Sequence, residues 1–259
     1  MFYTLITGAS SGIGWEMAQI LAEKKENLIL VARRVERMIP LKEDLESRFG
    51  ISVFIFDTDL SIWNNCGKLF DSIQQNNLKV NKLINNAGFG LAGEFENLDI
   101  SRLHAMVNLN CASLMELSHH FAKYWKNNKI SGSILNVASI AGYYPGPYMA
   151  VYYASKAFVK SFSLALFWEL KEYNIHVSCL CPGATKTEFD TVSGLSSLPL
   201  FTNLKLMSGK EVALLGLESH DKKRKIIVTG LKNKLFSLFS RIIPMNLQLL
   251  IISKLQKKD

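Results

Sequence analysis

Tyr152 and Lys156 lie four residues apart in the stretch SIAGYYPGPYMAVYYASK at 139–156, whose second half is typical of a helix. At this spacing the two side chains share one helical face. A phenol has a pKa of about 10 and exchanges protons poorly at neutral pH unless its anion is favoured, as it is by an ammonium group. At about 5 Å and an effective dielectric constant of about 20, the pair would interact by roughly 3 kcal/mol, which is about two pKa units.

Ser139 lies thirteen residues before the tyrosine, where a strand is predicted to end. Its hydroxyl could be aimed at the same substrate oxygen as the phenol. Taken alone, a Tyr and a Lys on one helix face are more simply explained as ordinary surface residues. The chemical interpretation therefore requires that the rest of the chain supply a hydride donor.

A glycine-rich turn follows the first predicted strand, as TGASSGIG at 7–14, and is itself followed by a helical pattern. Glycines let the backbone approach a pyrophosphate, and the helix start presents free N–H groups and a positive dipole end. Any tight strand–helix turn could use glycine, but this position in an α/β pattern favours a dinucleotide site. The predicted contacts are Gly8, Ser10, Ser11, Gly12, Ile13 and Gly14.

Two arginines, Arg33 and Arg34, follow the second predicted strand. An NAD site usually has an acidic residue here for the ribose 2′-hydroxyl, whereas arginine suits a 2′-phosphate. The alternative is that both arginines simply begin a solvated helix. Because no acidic residue is present at this point, we predict NADP(H) as the cofactor.

The third and fourth predicted strands also end in polar or flexible residues. Asp59, after Asp57 and Thr58, could accept a hydrogen bond from an adenine amino group. The sequence NNAG at 85–88 contains Asn86, Ala87 and Gly88, where the backbone would pass close to the cofactor ribose. By itself this tetrapeptide could equally be a turn.

Short apolar segments alternate with helical patterns along the whole chain. This alternation predicts a doubly wound α/β Rossmann fold, with a parallel seven-stranded sheet covered by helices on both faces. The predicted strands are 2–7, 27–32, 51–57, 80–85, 132–138, 175–180 and 225–228. The main predicted helices are 13–25, 61–75, 100–126 and 150–173. No linker or repeat divides the chain, so we expect a single domain over 1–259.

Composition narrows the class of protein. Hydrophobic residues make up 48% of the chain and its net charge is +8. The positive excess looks spread out, with clusters at 222–225 and near the C-terminus, so we expect no nucleic-acid partner. No secretory signal is evident, and the cysteine and histidine spacing does not suggest a metal site, which favours a cytoplasmic protein with reduced thiols and no metal.

In order and spacing, these motifs resemble the short-chain dehydrogenase/reductase (SDR) family from Thr7 to about Gly230. The resemblance is carried by TGASSGIG, Asp59-Leu60, NNAG, Asn110, Ser139, Tyr152-x-x-x-Lys156 and Pro182-Gly183. Within the family, SIAGYYPGPYMAVYYASKAF and PGATKTEF look most like the bacterial DltE-like reductases, which are similar to 3-ketoacyl and 17β-hydroxysteroid reductases.

The resemblance implies a role for each matching residue. Tyr152 would be the general acid of reduction, Lys156 would lower its pKa and hold the nicotinamide ribose, and Ser139 would polarise the carbonyl. Asn110 would hold a water in a proton relay to Lys156; Asn108 fits the spacing less well. Tyr153 breaks the Tyr-x-x-x-Lys spacing and is interpreted as packing. Further cofactor contacts implied by the resemblance are Asp59, Leu60, Asn86, Ala87, Gly88, Pro182, Gly183, Thr185 and Thr187.

Two segments bear on substrate and partners. The loop 184–207 is rich in leucine and phenylalanine and could form a lid over an apolar carbonyl compound, which we favour slightly over a small polar aldehyde. The extension 231–259 is cationic and amphipathic. We favour packing or contact between subunits of a homodimer or homotetramer for it, with peripheral membrane contact as the alternative.

The sequence therefore predicts an NADPH-dependent reductase of a ketone or aldehyde, with a 3-ketoacyl-like or steroid-like substrate. One competing hypothesis is a non-catalytic NADP(H)-binding regulator with the same fold. The presence of Asn110, Ser139, Tyr152 and Lys156 argues against it. The other competing hypothesis is a protein that binds to a membrane surface through its basic C-terminal extension.

Overall fold

The structure is a computed structural model of the 259-residue chain. It describes residues 1–189, 193, 206–240 and 242–256.

Seven parallel strands form the central sheet, as the apolar segments predict. They are β1 (Tyr3–Thr7), β2 (Asn27–Ala32), β3 (Val53–Asp57), β4 (Val80–Asn85), β5 (Ser133–Val137), β6 (His176–Cys181) and β9 (Ile226–Val228). Their spatial order is β3-β2-β1-β4-β5-β6-β9, so the order reverses between β1 and β4. In such a sheet, ligands bind outside the carboxyl ends of the strands at the point of reversal.

Helices cover both faces of this sheet. They are α1 (Gly12–Glu23), α2 (Val35–Phe49), α3 (Asn65–Gln75), α4 (Ile100–Val107), α5 (Leu114–Asn128), α6 (Ala150–Leu170), α7 (Gly209–Asp221), α8 (Leu231–Phe239) and α9 (Met245–Gln256). A second, two-stranded parallel sheet pairs β7 (Thr185–Lys186) with β8 (Met207–Ser208). None of the helices within the described residues is both long and apolar enough to cross a membrane.

Alternate residues of each central strand point to opposite faces, which creates two apolar layers. In β2, Leu28 and Leu30 pack with α1, α2 and α7, whereas Ile29 and Val31 pack with α3 and α5. All four side chains are fully buried. Strands buried on both faces are typical of a doubly wound sheet and explain why these segments are apolar throughout.

The predicted helix 100–126 is wrong in its middle. The chain forms α4, then a π-helical turn at Asn108–Ser113, and then α5. Asn108 and Asn110 lie in this turn, and the Ser113 hydroxyl donates to the carbonyl of Asn108 at 2.9 Å. Such wide turns inside helices often mark functional sites. The apolar periodicity continues through the segment, so it gave no sign of the interruption.

A buried histidine connects α7 to the amino-terminal half of β6, far from the carboxyl end of the sheet. His220 Nδ1 and His176 Nε2 lie 2.8 and 2.9 Å from the hydroxyl oxygen of Ser178. That hydroxyl also donates to the carbonyl of Arg224 at 2.7 Å. Burial, followed by the nearby His176 and Lys82, lowers the pKa of His220 to about 3.

Because His220 stays neutral in the folded protein, acid should destabilise the fold. The stability is fully present above the ordinary histidine pKa of 6.5 and is lost as the pH falls from there towards 3. Each pH unit in this window costs up to about 1.4 kcal/mol. In urea unfolding followed by circular dichroism between pH 4 and pH 7, roughly the window in which histidine titrates, we expect a shallower pH dependence for His220→Gln than for the unmodified protein. Parallel profiles would contradict this assignment.

Candidate active site

The carboxyl ends of six central strands surround a cavity of about 420 Å³. Its walls come from the turn after β1, the segments after β2 and β3, the Asn86–Phe89 backbone after β4, and the loops after β5 and β6. Of the predicted site residues, only Gly14 and Asn110 do not line it. Those that do are Gly8, Ser10, Ser11, Gly12, Ile13, Arg33, Arg34, Asp59, Leu60, Asn86, Ala87, Gly88, Ser139, Tyr152, Lys156, Pro182, Gly183, Thr185 and Thr187.

The glycine-rich turn has a backbone that only glycine adopts easily. Gly8 and Gly12 have φ angles of +67° and +57°. A β-carbon on Gly8 would lie 2.9 Å from the Cα of Ala87, so the ends of β1 and β4 pack backbone against backbone. Gly14 serves the same packing, because a β-carbon there would lie 2.5 Å from the carbonyl oxygen of Gly8.

Hydrogen bonds lock this junction of β1 and β4. The Thr7 hydroxyl accepts from the backbone N–H groups of Asn86 and Ala87, each at 3.0 Å. The Asn86 side-chain amide donates to the carbonyl oxygens of Thr7 and Gly8 at 3.0 and 3.2 Å. The Asn86 side chain therefore holds the glycine-rich turn in place. Asn86 lines the cavity because it is bonded to this turn.

Arg34 is bonded to the glycine-rich turn itself. Its guanidinium donates to the hydroxyls of Ser10 at 3.3 Å and Ser11 at 2.7 Å, and to Glu188 at 2.9 Å. Arg33 is more exposed and lies 3.4 Å from the carboxylate of Asp59. The two arginines thus place positive charge at the edge of the cavity next to the ends of β2 and β3.

The carboxyl of Asp59 is stabilised as an anion. Burial alone would raise its pKa, but hydrogen bonds from Ser61 and the charge of Arg33 hold it below the ordinary value. The Ser61 hydroxyl and backbone N–H both donate to one carboxylate oxygen, at 2.6 and 2.9 Å. Asp59 therefore presents a charged acceptor at the cavity edge.

Glu188 is a lining residue that the sequence reasoning missed. Its carboxylate bridges Arg34 and Arg37, and these hydrogen bonds lower its pKa. Glu188 comes shortly after the Pro182-Gly183 turn, whereas the arginines flank the start of α2. Only the folded arrangement brings these segments together, so no local pattern could have revealed the contact.

Ser139, Tyr152 and Lys156 converge on the opposite side of the cavity. Ser139 caps a short 3-10 turn, Ile140–Tyr143, by accepting from the N–H of Ala141 at 3.1 Å. Tyr152 and Lys156 lie in the first two turns of α6 and are buried. The lysine ammonium donates to the carbonyl of Val137 at 2.9 Å and lies 5.8 Å from the centre of the Tyr152 ring.

Burial controls the ionisation of this pair. It raises the pKa of Tyr152 to about 12, against a smaller downward effect of the hydrogen bond with Ser139. It lowers the pKa of Lys156 to about 8, against the upward effect of the neighbouring cysteines. The expectation that Lys156 lowers the tyrosine pKa by about two units is therefore not met in this geometry. The phenol is held in its protonated form at neutral pH.

Asn110 lies behind the cavity rather than in its wall. Its side-chain amide donates to the carbonyl of Phe89 at 2.9 Å and to the hydroxyl of Ser155 at 3.1 Å. Its carbonyl oxygen accepts from the N–H of Phe89 at 3.1 Å. A β-carbon on Gly88 would lie 2.9 Å from this oxygen and 3.4 Å from the Lys156 amine, so both groups flank Gly88.

The C-terminal extension closes one side of the site. Gln256, the last residue of α9, lines the cavity and donates from its amide to the hydroxyl of Tyr153. In α8, the Phe236 ring packs on Tyr144 with centroids 4.3 Å apart, and Asn233 lies against Gly183. Packing against the site, the explanation favoured from the sequence for 231–259, accounts for these contacts.

Of the predicted lid 184–207, the structure describes the two ends, 184–189 and 206–207, and residue 193. The two ends pair as β7 and β8, which the sequence did not predict. Phe189 packs on Tyr152 with ring centroids 5.4 Å apart. The apolar residues Leu195, Leu198, Leu200, Phe201 and Leu204 lie outside the described residues, so a closing role for the lid stays a prediction.

Asn110 and Asn108 provide a matched pair for a stability test. Asn110→Ala would leave the N–H and carbonyl of Phe89 without buried partners and should lower the free energy of unfolding by about 1–3 kcal/mol. Asn108 is exposed and makes one long bond, 3.3 Å, to the carbonyl of Ser61, so Asn108→Ala should cost less than about 0.5 kcal/mol. Urea unfolding measures both values. Equal losses of unfolding free energy in the two variants would show that the contacts of Asn110 with Phe89 do not stabilise the protein.

Comparisons with known proteins agree with this geometry. The family model described as short chain dehydrogenase matches residues 3–195. The chain is 36% identical over 188 residues to the sulfoacetaldehyde reductase of Chromohalobacter salexigens, covering 72% of this chain and 74% of the relative. It is 35% identical over 187 residues to a very-long-chain 3-oxoacyl-CoA reductase of Phaeosphaeria nodorum, covering 69% of this chain but 53% of the relative.

A solved structure extends the match to almost the whole chain. The short-chain dehydrogenase from Sphingobium yanoikuyae in complex with NADPH superimposes with a TM-score of 0.84, with 28% identity and coverage of 93% of this chain and 94% of that chain. Assignment to the DltE-like group within the family stays a prediction. The chain belongs to the short-chain dehydrogenases and is therefore an oxidoreductase that acts on alcohol and carbonyl groups.

Proposed function

We propose that the protein is an NADPH-dependent reductase that converts a ketone or aldehyde to an alcohol, with Tyr152 as the general acid. The observation that carries the proposal is the position of the phenol. It lies in the cavity wall beside the Ser139 hydroxyl, across from a glycine-rich turn at a helix start. A proton donor and an anion-binding turn thus open into one space of about 420 Å³.

The residues of the cavity fit a dinucleotide. The positive φ angles favour glycine at positions 8 and 12, and the missing β-carbons leave the backbone of the turn open to a pyrophosphate. The first turn of α1 has no acidic residue that would repel it. Ser10, Ser11, Thr185 and Thr187 add hydroxyl groups to the same wall. A bound nicotinamide dinucleotide would supply the hydride; the chain supplies binding, orientation and the proton.

Tyr152 and Ser139 have different roles at the carbonyl oxygen of the substrate. Because burial holds its pKa near 12, Tyr152 is protonated at neutral pH and can donate as the carbonyl oxygen gains charge. The neighbouring Ser139 hydroxyl can donate a hydrogen bond to the same oxygen and stabilise that charge. A protonated phenol suits reduction better than oxidation, in which the residue would have to act as a base.

Lys156 and Asn110 are assigned to holding and resupplying the proton. The Lys156 amine is anchored on the Val137 carbonyl, and its lowered pKa of about 8 makes proton exchange near neutral pH accessible. Its position beside Gly88 is suited to a ribose hydroxyl. Since Asn110 flanks the same glycine, it is the residue suited to hold a water next to the amine.

The preference for NADPH over NADH rests on Arg33 and Arg34. Both line the cavity at the end of β2, where an acidic residue would favour NADH. A 2′-phosphate there would gain charge-assisted hydrogen bonds and would compete with Glu188 for Arg34. The NADPH named in the Sphingobium yanoikuyae structure is consistent with this choice.

The substrate side of the cavity is apolar. Phe89, Ala141, Met149 and Phe189 surround Tyr152. Among the described lining residues, the cationic side chains are Arg33, Arg34 and Lys156, all assigned to the cofactor. This favours an apolar ketone or aldehyde, such as the acyl substrate named for the Phaeosphaeria nodorum relative, over a small sulfonated aldehyde.

We expect the protein to form a homodimer or homotetramer. Large apolar side chains are exposed on α4, α5 and α6, away from the cavity, and are suited to contact a second copy. Ile100, Met115, Phe158 and Trp168 are among them. A cytoplasmic location and a single domain over 1–259 also stay predictions.

The general-acid assignment is tested with adjacent tyrosines. NADPH oxidation is first screened against aldehydes, sulfoacetaldehyde, 3-ketoacyl thioesters and ketosteroids. With the best substrate, Tyr152→Phe should lower kcat by about 10²–10⁴-fold, because the proton donor is lost, while NADPH binding measured by fluorescence is retained. Tyr153→Phe is the matched control and should keep most of the activity. Comparable activity of both variants would refute the assignment.

The cofactor preference is tested with Arg33→Ala, because Arg33 does not brace the glycine-rich turn. Loss of its charge-assisted bond should lower kcat/KM for NADPH by about 10–100-fold and leave that for NADH nearly unchanged. Arg37→Ala is the control, since Arg37 contacts Glu188 but does not line the cavity. A higher kcat/KM for NADH than for NADPH in the unmodified enzyme would overturn the proposed preference.

A further inference from the structure

The positive charge of the chain is concentrated at its C-terminal end, contrary to the impression of an even spread. Residues 222–258 contain ten of the thirty lysines and arginines and no aspartate or glutamate. The other twenty bases are set against twenty-two acids, so the rest of the chain is slightly negative. The net charge of +8 therefore originates entirely in this segment. Such an asymmetry points to an anionic partner for this region.

In helix α9 polar side chains are buried and apolar ones are exposed, which is the reverse of the usual amphipathic arrangement. The side chains buried against the body of the protein are Gln248, Ile252 and Gln256, at helical spacing. Leu250 and Ile251 face outward instead, with Leu250 52% exposed. A surface helix of a protein surrounded by water normally buries its apolar face and exposes its polar one. This helix is arranged for an apolar environment on its outer side.

Helix α8 continues the apolar outer surface. It has no buried side chain, and its largest exposed residues recur at helical spacing. Leu231 is 74% exposed, Leu238 61% and, just beyond the helix, Ile242 75%. The apolar outer surface consists of Leu231, Leu235, Leu238, Phe239, Ile242, Met245, Leu247, Leu250 and Ile251, all of them exposed.

Exposed lysines border this apolar outer surface. Lys232 and Lys234 lie in α8, and Lys254 lies in α9. A helix with leucine and phenylalanine on one side and lysine beside them is suited to the boundary between lipid headgroups and acyl chains. Each lysine near an anionic leaflet adds a favourable electrostatic contribution.

We propose that α8 and α9 dock the protein on an anionic phospholipid bilayer through the apolar outer surface. The charge distribution selects this occupant over a second copy of the chain. A twofold-symmetric contact through the same surface would bring the lysines of both copies into one interface, to which residues 222–258 contribute no acidic side chain. In a bilayer that contains acidic lipids, the acyl chains accept the leucines and the anionic headgroups neutralise the lysines. The proposal goes beyond the reductase activity and does not depend on it.

Docking there would bring the mouth of the cavity close to the lipid. The inner sides of the same helices contact the site, since Gln256 lines the cavity and Phe236 packs on Tyr144. An apolar carbonyl compound dissolved in the bilayer would then have a short path to Tyr152. The inner and outer sides of the helix pair thus face the cavity and the membrane respectively.

The test is co-sedimentation of the full-length protein with two kinds of vesicle. One is phosphatidylcholine alone, and the other contains about a third phosphatidylglycerol, to provide an anionic surface. We expect binding to the second and much weaker binding to the first, with the difference reduced at high salt. Lys232→Gln/Lys234→Gln should weaken partitioning about thirtyfold. Leu238→Gln/Ile242→Gln should weaken it at least about tenfold.

Trp63→Gln is the matched control, because Trp63 is 76% exposed, precedes α3, and lies outside the apolar outer surface and the side chains assigned to subunit contact. It should bind vesicles as the unmodified protein does. Circular dichroism should show that all variants are folded, since the replaced side chains are exposed. The proposal is overturned if no vesicle is bound, or if Trp63→Gln weakens binding as much as the two double variants. It is also overturned if Leu238→Gln/Ile242→Gln converts an oligomer to a monomer in light scattering without changing vesicle binding.

Discussion

The buried amine of Lys156 is the constraint on which the arrangement of the site depends. An ammonium group removed from water needs a hydrogen-bond acceptor, and the carbonyl of Val137 at the end of β5 provides one at 2.9 Å. This bond ties α6 to the strand that leads into Ser139. Gly142 permits the same approach, because a β-carbon there would lie 2.6 Å from the carbonyl oxygen of Lys156. The serine, tyrosine and lysine therefore belong to one rigid unit.

The opposite wall of the cavity is held by charges at the surface rather than by burial. Arg34 connects the serines of the glycine-rich turn to Glu188, which lies on the segment leading into the predicted lid. These side chains are partly exposed, so the ion pairs themselves contribute little to folding stability. Their effect is to hold the glycine-rich turn and the segment at Glu188 next to each other. If an anion displaced Glu188 from Arg34, the ion pair of Glu188 with Arg37 would still hold that segment to α2.

The sequence was sufficient for the sheet and most of the cavity wall because these depend on local rules. Apolar segments specify strands buried on both faces, and glycines mark the turn where β1 and β4 touch. The π-helical turn around Asn110 was missed because its apolar spacing continues that of the flanking helices. Glu188 and Gln256 were missed because each reaches the cavity from a part of the chain remote from the motifs it contacts.

The pKa of Tyr152 was the property that the sequence predicted least well. The ionisation of Tyr152 was expected to follow its spacing from Lys156, but burial dominates and moves the pKa in the opposite direction. The charge of the C-terminal segment, by contrast, follows from a count along the sequence, with ten bases and no acid in residues 222–258. The ionisation of Tyr152 could not be read in this way, because it depends on what surrounds the phenol in three dimensions.

The reversed pattern of α9 follows from what each side of the helix contacts. Buried amides need partners, and Gln248 donates to the carbonyls of Ser240 and Ile243, at 3.0 and 2.7 Å, while Gln256 donates to the Tyr153 hydroxyl. The inward glutamines therefore satisfy the ends of the α8–α9 connection and one wall of the cavity, a task that leucine could not perform. With the polar positions used inside, the apolar residues that complete the helix are left outside. The exposed apolar side is the one that gains free energy when it is removed from water, as the proposed docking on a bilayer would do.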